Sequence, residues 1–156
     1  MKKHLYNTQI TWTGNEGNGT TDYKAFSRDH TISIANKQHD IMGSSDPSFR
    51  GDPQRYNPEE LFLSSLSSCH MLWYLHLCAI NKIVVTAYSD KATGVMEETT
   101  NGSGAFKEVC LNPIVTISNP VNENLAKELH HKANEMCFIA NSCNFTITHS
   151  SKVIIA

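Results

Sequence analysis

The first third of the chain alternates apolar and polar positions over short stretches. Strand patterns cover residues 5–13, with Ile10 and Trp12 among Thr and Gln, residues 20–27 after a turn rich in Gly and Asn, and His30–Ala35, where Thr-Ile-Ser-Ile alternates. A period of two between turn residues indicates half-buried β-strands. We therefore predict three antiparallel strands, followed by a long loop over Gly43–Tyr56, where no period is sustained.

The longest uninterrupted apolar stretch follows a helix-start signal. Asn57 is a suitable N-cap, Pro58 stands at the first helical position, and Glu59 and Glu60 place acid in the first turn. From Leu61 to Ile80 no Pro or Gly interrupts, and apolar or small residues occupy nearly every face. The pattern predicts a helix about 36 Å long that is buried almost all round.

Strand patterns return after this helix. They cover Ile83–Ser89, Ala92–Glu97, Phe106–Ser118 after a turn at Asn101–Gly104, and Asn144–Ile155. An amphipathic helix is predicted between the last two strands, from about Asn122 to Cys137. The order of elements predicts an α+β fold, with antiparallel sheets around a long central helix, in a single domain over residues 1–156.

Charge and hydropathy exclude some partners. The net charge is -2 and only 18% of the 156 residues are charged, so no basic surface is expected for nucleic acid or anionic lipid. The most apolar stretch, Met71–Ile80, is too short to span a bilayer, and the N-terminus lacks the apolar run of a signal peptide. We expect a cytoplasmic protein.

Five cysteines without a C-x-x-C pair argue against a disulfide scaffold or a zinc ribbon. Cys69 lies inside the long predicted helix, and Cys137 ends the last helix, from where its side chain can face the first. One attacking and one resolving cysteine are what peroxide chemistry with disulfide turnover requires. We expect the other cysteines, including Cys78 and Cys110, to be structural.

Two strings carry a resemblance to a known family. NPEELFLSSLSSC, which ends at Cys69, resembles the signature of the OsmC/Ohr (organic hydroperoxide resistance) family, and the Cys-Phe-Ile-Ala-Asn-Ser block from Cys137 resembles its second-cysteine motif. The resemblance spans nearly the entire chain. It implies that Cys69 is the peroxidatic and Cys137 the resolving cysteine, in an intertwined homodimer with two sites at the interface.

The resemblance implies a cofactor-free thiol peroxidase that reduces organic hydroperoxides to alcohols and is restored by an external thiol. A small-ligand-binding protein that keeps the fold without turnover is one alternative. A zinc-stabilised structural module is another. Apolar residues around the two cysteines favour an alkyl or lipid hydroperoxide, and those expected to line the pocket are Leu66, Met71, Leu72, Trp73 and Phe138.

A thiolate needs a nearby cation, because an unperturbed cysteine has a pKa near ~8.5 and the helix dipole acts only on the first turn. The resemblance supplies an arginine and places it on Arg28, with Arg50 and Arg55 as alternatives; Glu59 would orient it through a bidentate pair. Glu59 and Cys69 are about 15 Å apart along a straight helix. Either the helix breaks between them or two subunits share the site.

Histidines raise the question of a metal. His70 and His76 point about 240° apart on a helix and make a poor chelate, so no metal site is expected. His76 shares a face with Cys69 and is a candidate for pocket lining. His130 and His131 are expected on the surface of the last helix.

Overall fold

The computed structural model describes all residues from 1 to 156. The chain forms two compact units, Met1–Leu61 and Phe62–Ala156. No helix is both long and apolar enough to cross a membrane.

The first unit contains an antiparallel sheet in the order β1-β2-β3. Its strands are β1 (Gln9–Trp12), β2 (His30–Ser33) and β3 (Ile41–Gly43), and a short 3₁₀ turn follows at Pro47–Phe49. An antiparallel N-terminal sheet with strands near residues 5–13 and 30–35 is confirmed, but its third strand is β3, which ends at Gly43, where the predicted loop begins.

The strand predicted at residues 20–27 is wrong. Residues between β1 and β2 form turns, in which the side chain of Asn15 accepts hydrogen bonds from the backbone N–H groups of Gly17 and Gly19, each at 3.0 Å. Asp22 accepts one from Lys24 at 2.8 Å. Short Asn and Asp side chains that bind nearby N–H groups offer the backbone an alternative to a strand ladder.

The long helix, α1 (Pro58–Ile80), begins as predicted. The N–H of Glu60 donates to the Asn57 side chain at 2.8 Å, and the N–H of Asn57 donates to the Glu60 carboxylate at 3.1 Å. This reciprocal arrangement is a capping box, which satisfies two otherwise unpaired donors at a helix start.

The prediction that α1 is buried almost all round is wrong for the single chain. The buried side chains form one stripe at helical spacing: Leu66, His70, Tyr74, Leu77 and Cys78. On another face Leu72 remains 63% exposed. The rest of the chain therefore covers α1 only in part.

The second unit packs α1 and α2 (Glu123–Met136) against two three-stranded sheets. The first sheet has the order β4-β7-β9 and the second β5-β6-β8. The strands are β4 (Val85–Asp90), β5 (Thr93–Glu98), β6 (Gly104–Leu111), β7 (Pro113–Ile117), β8 (Thr146–His149) and β9 (Lys152–Ile155). The pairs β6-β8 and β7-β9 are parallel, so these sheets are mixed rather than antiparallel.

Two predicted strands each prove to be two strands that belong to different sheets. Phe106–Ser118 divides at Asn112, whose backbone N–H donates to Asp90 at 2.7 Å and whose side-chain amide donates to the Lys91 carbonyl at 2.9 Å. Asn144–Ile155 divides at Ser150, whose N–H donates to the carbonyl of Leu111. These bonds satisfy the backbone where the chain leaves one sheet for the other.

Two apolar clusters form the core of this unit. One joins α1 and α2 to the first sheet and comprises Tyr74, Leu77, Cys78, Ile83, Val115, Ile117, Ala126, Leu129 and Ala133. The other lies against the second sheet and comprises Leu66, Val109, Leu111 and Ile147. The α1 stripe contributes to both clusters and so anchors this helix within the unit.

Candidate active site

Cys69 and Cys137 meet where α1 and α2 pack together. Cys69 lies about three turns into α1 and is partly exposed, whereas Cys137 is the residue directly after α2 and is 1% exposed. Their side chains are in hydrogen-bonding contact, and all five cysteines are free thiols. The structure therefore brings together the two thiols that the sequence singles out.

The two sulfurs have different surroundings. Burial, and then the hydrogen bond with Cys69, raise the pKa of Cys137 to about 11, while the N–H of Ala140, 3.4 Å from the Cys137 Sγ, acts in the opposite direction. Cys137 is consequently a protonated thiol at neutral pH. Cys69, in contrast, is a partly exposed residue.

An aromatic surface lies one turn along α1 from Cys69. Trp73 stacks edge-on with Phe138, with ring centroids 5.6 Å apart, and with His76 at 5.8 Å. Phe138 is 66% exposed. Leu72, Trp73 and His76 line a shallow cavity of about 260 Å³ on this surface.

The remaining residues assigned to the pocket lie elsewhere. Leu66 is fully buried in the apolar cluster against the second sheet. Met71 lines a larger cavity of about 590 Å³ with Tyr88, Asp90 and several serines of α1. Cys69 is absent from the lining of both cavities.

Within the first unit, the three arginines have different partners. The Arg28 guanidinium donates to the carbonyls of Phe26 and Tyr23, and lies over both rings at 4.2 and 4.4 Å from their centroids. Arg50 is exposed, with a left-handed backbone at φ 66°. Arg28 is thus held by its own loop.

Arg55 has a buried guanidinium nitrogen that makes no hydrogen bond. Its Nε lies 3.3 Å from Asp29 and 3.5 Å from Asp52, while its Nη1 is buried without a hydrogen-bond partner. Glu59 has a buried carboxylate oxygen, Oε2, that also lacks a partner. Buried polar groups of opposite charge without partners are uncommon, because each costs free energy until it is paired.

A buried histidine pair is the feature that the sequence analysis missed. His70 Nε2 and His130 Nδ1 are 3.0 Å apart, and both residues are fully buried, so the predicted surface position of His130 is wrong. His131 is exposed, as predicted. Helical spacing could have shown that His130 is buried, since it occupies the same α2 face as Ala126, Ala133 and Cys137, but not that its partner is His70.

Other groups surround this pair. His149 on β8 lies with its ring centroid 5.6 Å from His70 and 5.9 Å from His130, and Tyr74 stacks on His130 at 3.8 Å. One ring nitrogen of each of the three histidines is buried without a partner. The structure contains no group of three His, Cys, Asp or Glu side chains arranged to hold a metal ion.

The fold and the two thiols define an α+β protein built on a long helix, with a pair of neighbouring cysteines between its two helices. A family model described as OsmC-like protein matches residues 51–152. The chain belongs to the OsmC-like family, as its two cysteine motifs indicate. The comparison with curated proteins found no match.

Solved structures support the family assignment. An OsmC-like protein of unknown function from Vibrio cholerae is 32% identical, with a TM-score of 0.82 and coverage of 97% of this chain and 99% of that one. The chain is also similar to an organic hydroperoxide resistance protein from Elizabethkingia anophelis, at 20% identity, TM-score 0.69 and coverage of 99% and 100%. A further one from Legionella pneumophila has 21% identity, TM-score 0.65 and coverage of 98% and 100%. At these lower identities the likeness concerns the fold.

Proposed function

We propose that this chain is a thiol peroxidase that reduces organic hydroperoxides to alcohols, in defence against oxidative stress. The observation that carries the proposal is the contact between the partly exposed Cys69 and the buried Cys137. Relatives in fold that are named organic hydroperoxide resistance proteins point the same way.

The roles of the two cysteines follow from their burial. The Cys69 thiolate attacks the terminal peroxide oxygen, the O–O bond breaks, the sulfur is oxidised to sulfenic acid, and the alkoxide takes a proton from solvent and leaves as the alcohol. The Cys137 thiol then displaces water and forms a disulfide. Two equivalents of an external thiol reduce this disulfide and restore both cysteines.

A raised pKa suits Cys137 for the resolving role. A buried thiol near pKa 11 is a poor nucleophile toward a peroxide in solvent, and it keeps its proton until a sulfenic acid is present beside it. The opposite assignment would require the peroxide to reach a sulfur that is 1% exposed.

For the cation that activates Cys69, we favour Arg55 over Arg28. The Arg28 guanidinium is already bound by two carbonyls of its own loop, whereas Arg55 Nη1 and Glu59 Oε2 are both buried and unpaired. A guanidinium fork is suited to hold a carboxylate and an adjacent anion at once.

We further propose a homodimer in which the partner chain completes the site. Because α1 is unbroken over Pro58–Ile80, Glu59 and Cys69 are about 15 Å apart along it, and one arginine cannot contact both within this helix.

The substrate class is inferred from the surface beside Cys69. Trp73, Leu72 and Phe138 are apolar and partly or largely exposed, which favours an alkyl or lipid hydroperoxide over hydrogen peroxide. We place the protein in the cytoplasm, where free cysteines and a thiol reductant persist.

The test uses Cys69→Ser, Cys137→Ser and the unmodified protein with an organic hydroperoxide, with dithiothreitol for steady-state consumption and without any reductant for single turnovers and mass spectrometry. We expect Cys69→Ser to consume no peroxide while it remains folded, because a hydroxyl is a far weaker nucleophile. Cys137→Ser should complete one turnover and stall at sulfenic or over-oxidised Cys69. Mass spectrometry after one equivalent of peroxide should find a Cys69–Cys137 bond; a bond from Cys69 to Cys78 or Cys143 refutes the pairing.

One observation favours a second candidate, a binding protein without turnover. The cavity of about 590 Å³ beside Met71 and Asp90 is larger than the surface cavity near Trp73, yet Cys69 does not line it. Wild-type protein that consumes no hydroperoxide, with Cys69 still reduced, would favour this candidate.

A further inference from the structure

Two polar contacts connect α1 to α2 at consecutive residues of α1. Cys69 is in hydrogen-bonding contact with Cys137, and the next residue, His70, is hydrogen-bonded to His130 at 3.0 Å. His70 and His130 are both fully buried. The peroxide chemistry proposed above uses the first contact and gives no role to the second.

The geometry of the histidine pair is that of a well-aligned hydrogen bond. The ring planes differ by 5° and the centroids are 5.4 Å apart, as expected when an N–H of one imidazole points along the lone pair of the other. Tyr74, one turn further along α1, stacks on the His130 ring at 12° and 3.8 Å. Residues of α1 therefore contact the His130 ring at its edge, through the hydrogen bond with His70, and on its face, through Tyr74.

The contacts at His130 and at Cys137 lie at two separate points along α2 and its C-terminal end. His130 and Cys137 are seven residues apart, which is two turns or about 10 Å on one face of the helix. Ala126 and Ala133, fully buried on the same face, allow α2 to lie close to α1. Holding His130 therefore limits both the rotation and the sliding of α2 on α1.

We propose that the His70–His130 hydrogen bond is a positioning device for the dithiol, which holds Cys137 at the place where its sulfur can bond to Cys69. This inference rests on the proposed function only in taking Cys69 and Cys137 as the redox pair. The physical need is strict, because a disulfide requires Cα atoms about 4.4–6.8 Å apart and a specific dihedral angle. Preorganised reactants react as if at high effective concentration.

The test measures disulfide formation without any peroxide. In glutathione buffers, oxidised glutathione accepts two electrons from the Cys69 and Cys137 thiols; one S–S bond forms in the protein, one breaks in glutathione, and two glutathione thiols carry the released protons. The equilibrium constant of this exchange reports how well the two sulfurs are positioned. A mass-spectrometric count of the Cys69–Cys137 bond provides the readout.

The variants separate positioning from packing. His70→Leu removes the hydrogen bond, whereas His70→Gln places an amide where Nε2 stands and keeps it. Leu129→Ala is the matched control. It loosens the same α1–α2 core but removes no hydrogen bond, because Leu129 is an apolar member of that core. We expect His70→Leu to lower the equilibrium constant at least about tenfold, a shift of about 30 mV toward less negative potential. His70→Gln and Leu129→Ala should stay within about threefold of the wild type, well below that tenfold change.

Two results would overturn the proposal. One is an equal shift in His70→Leu and Leu129→Ala, which means that loosened packing alone explains the effect; the other is an unchanged constant in His70→Leu. If His70→Leu does not fold, His130→Asn, which retains an amide at the Nδ1 position, is compared with His130→Leu under the same criteria. Absence of a Cys69–Cys137 bond in the wild type also overturns it. Loss of peroxidase activity with normal glutathione exchange would contradict the proposed function alone.

Discussion

Acidification from pH 7 to pH 5 should destabilise this protein through the two histidines buried between α1 and α2. Burial is the main cause that lowers the pKa of His70 to about 4 and that of His130 to about 3, from an ordinary value of 6.5. His149 on β8 lowers both pKa values further. Repulsion by the neighbouring His70 ring also lowers the pKa of His130. Asp90 on β4 opposes the change at His70 only.

The sign follows from where the proton binds. The unfolded chain protonates each histidine near pH 6.5, whereas the folded protein keeps them neutral down to about pH 4 and 3. Their full contribution to stability is present above pH 6.5 and is lost as the pH falls toward 4 for His70 and toward 3 for His130. At pH 5, which is 1.5 pH units below 6.5, each histidine has lowered the free energy of unfolding by about 2 kcal/mol, because one pH unit corresponds to about 1.4 kcal/mol. The pair loses about 4 kcal/mol, a large part of a typical stability of about 5–15 kcal/mol.

The measurement is urea unfolding at pH 7, 6 and 5, followed by tryptophan fluorescence. Carboxylates contribute little in this range because they titrate mostly below it. We expect His70→Gln and His130→Asn each to recover about half of the acid loss, about 2 kcal/mol, because each removes one titrating ring. His39→Gln, which changes an exposed histidine, is the control and should behave as the wild type. Equal acid loss in all four proteins would refute the reasoning.

Three further predictions concern the helix start, the activating cation and the oligomer. Asn57→Ala removes the capping box and should lower the free energy of unfolding by about 1 kcal/mol, measured by thermal or urea denaturation. Arg55→Ala should slow the alkylation of Cys69 at neutral pH while Arg28→Ala leaves the rate unchanged; the reverse outcome assigns the cation to Arg28. Deletion of residues 1–35 should abolish solubility, and a folded, active monomer of that truncation in light scattering would contradict the proposed dimer.

Short-range signals in the sequence determined the elements that carry the site. The start of α1 was predictable because its capping box joins residues only three apart, Asn57 and Glu60. The turn at Asn101–Gly104 was predictable because Asn101 bonds to its own neighbours and Gly102 adopts a positive φ. The motif around Cys69 likewise indicated the family, which the family model then established.

The tertiary structure alone decided which distant residues meet. His70 and His130 are 60 residues apart, and no local pattern reveals that both face the same interior. The division of the long strands at Asn112 and Ser150 depends on bonds to Asp90 and Leu111, which lie in other parts of the sheets. The periodicity of apolar residues indicates whether a segment is a helix or a strand and which of its faces is apolar. Which segments then pair depends on packing that involves the whole unit.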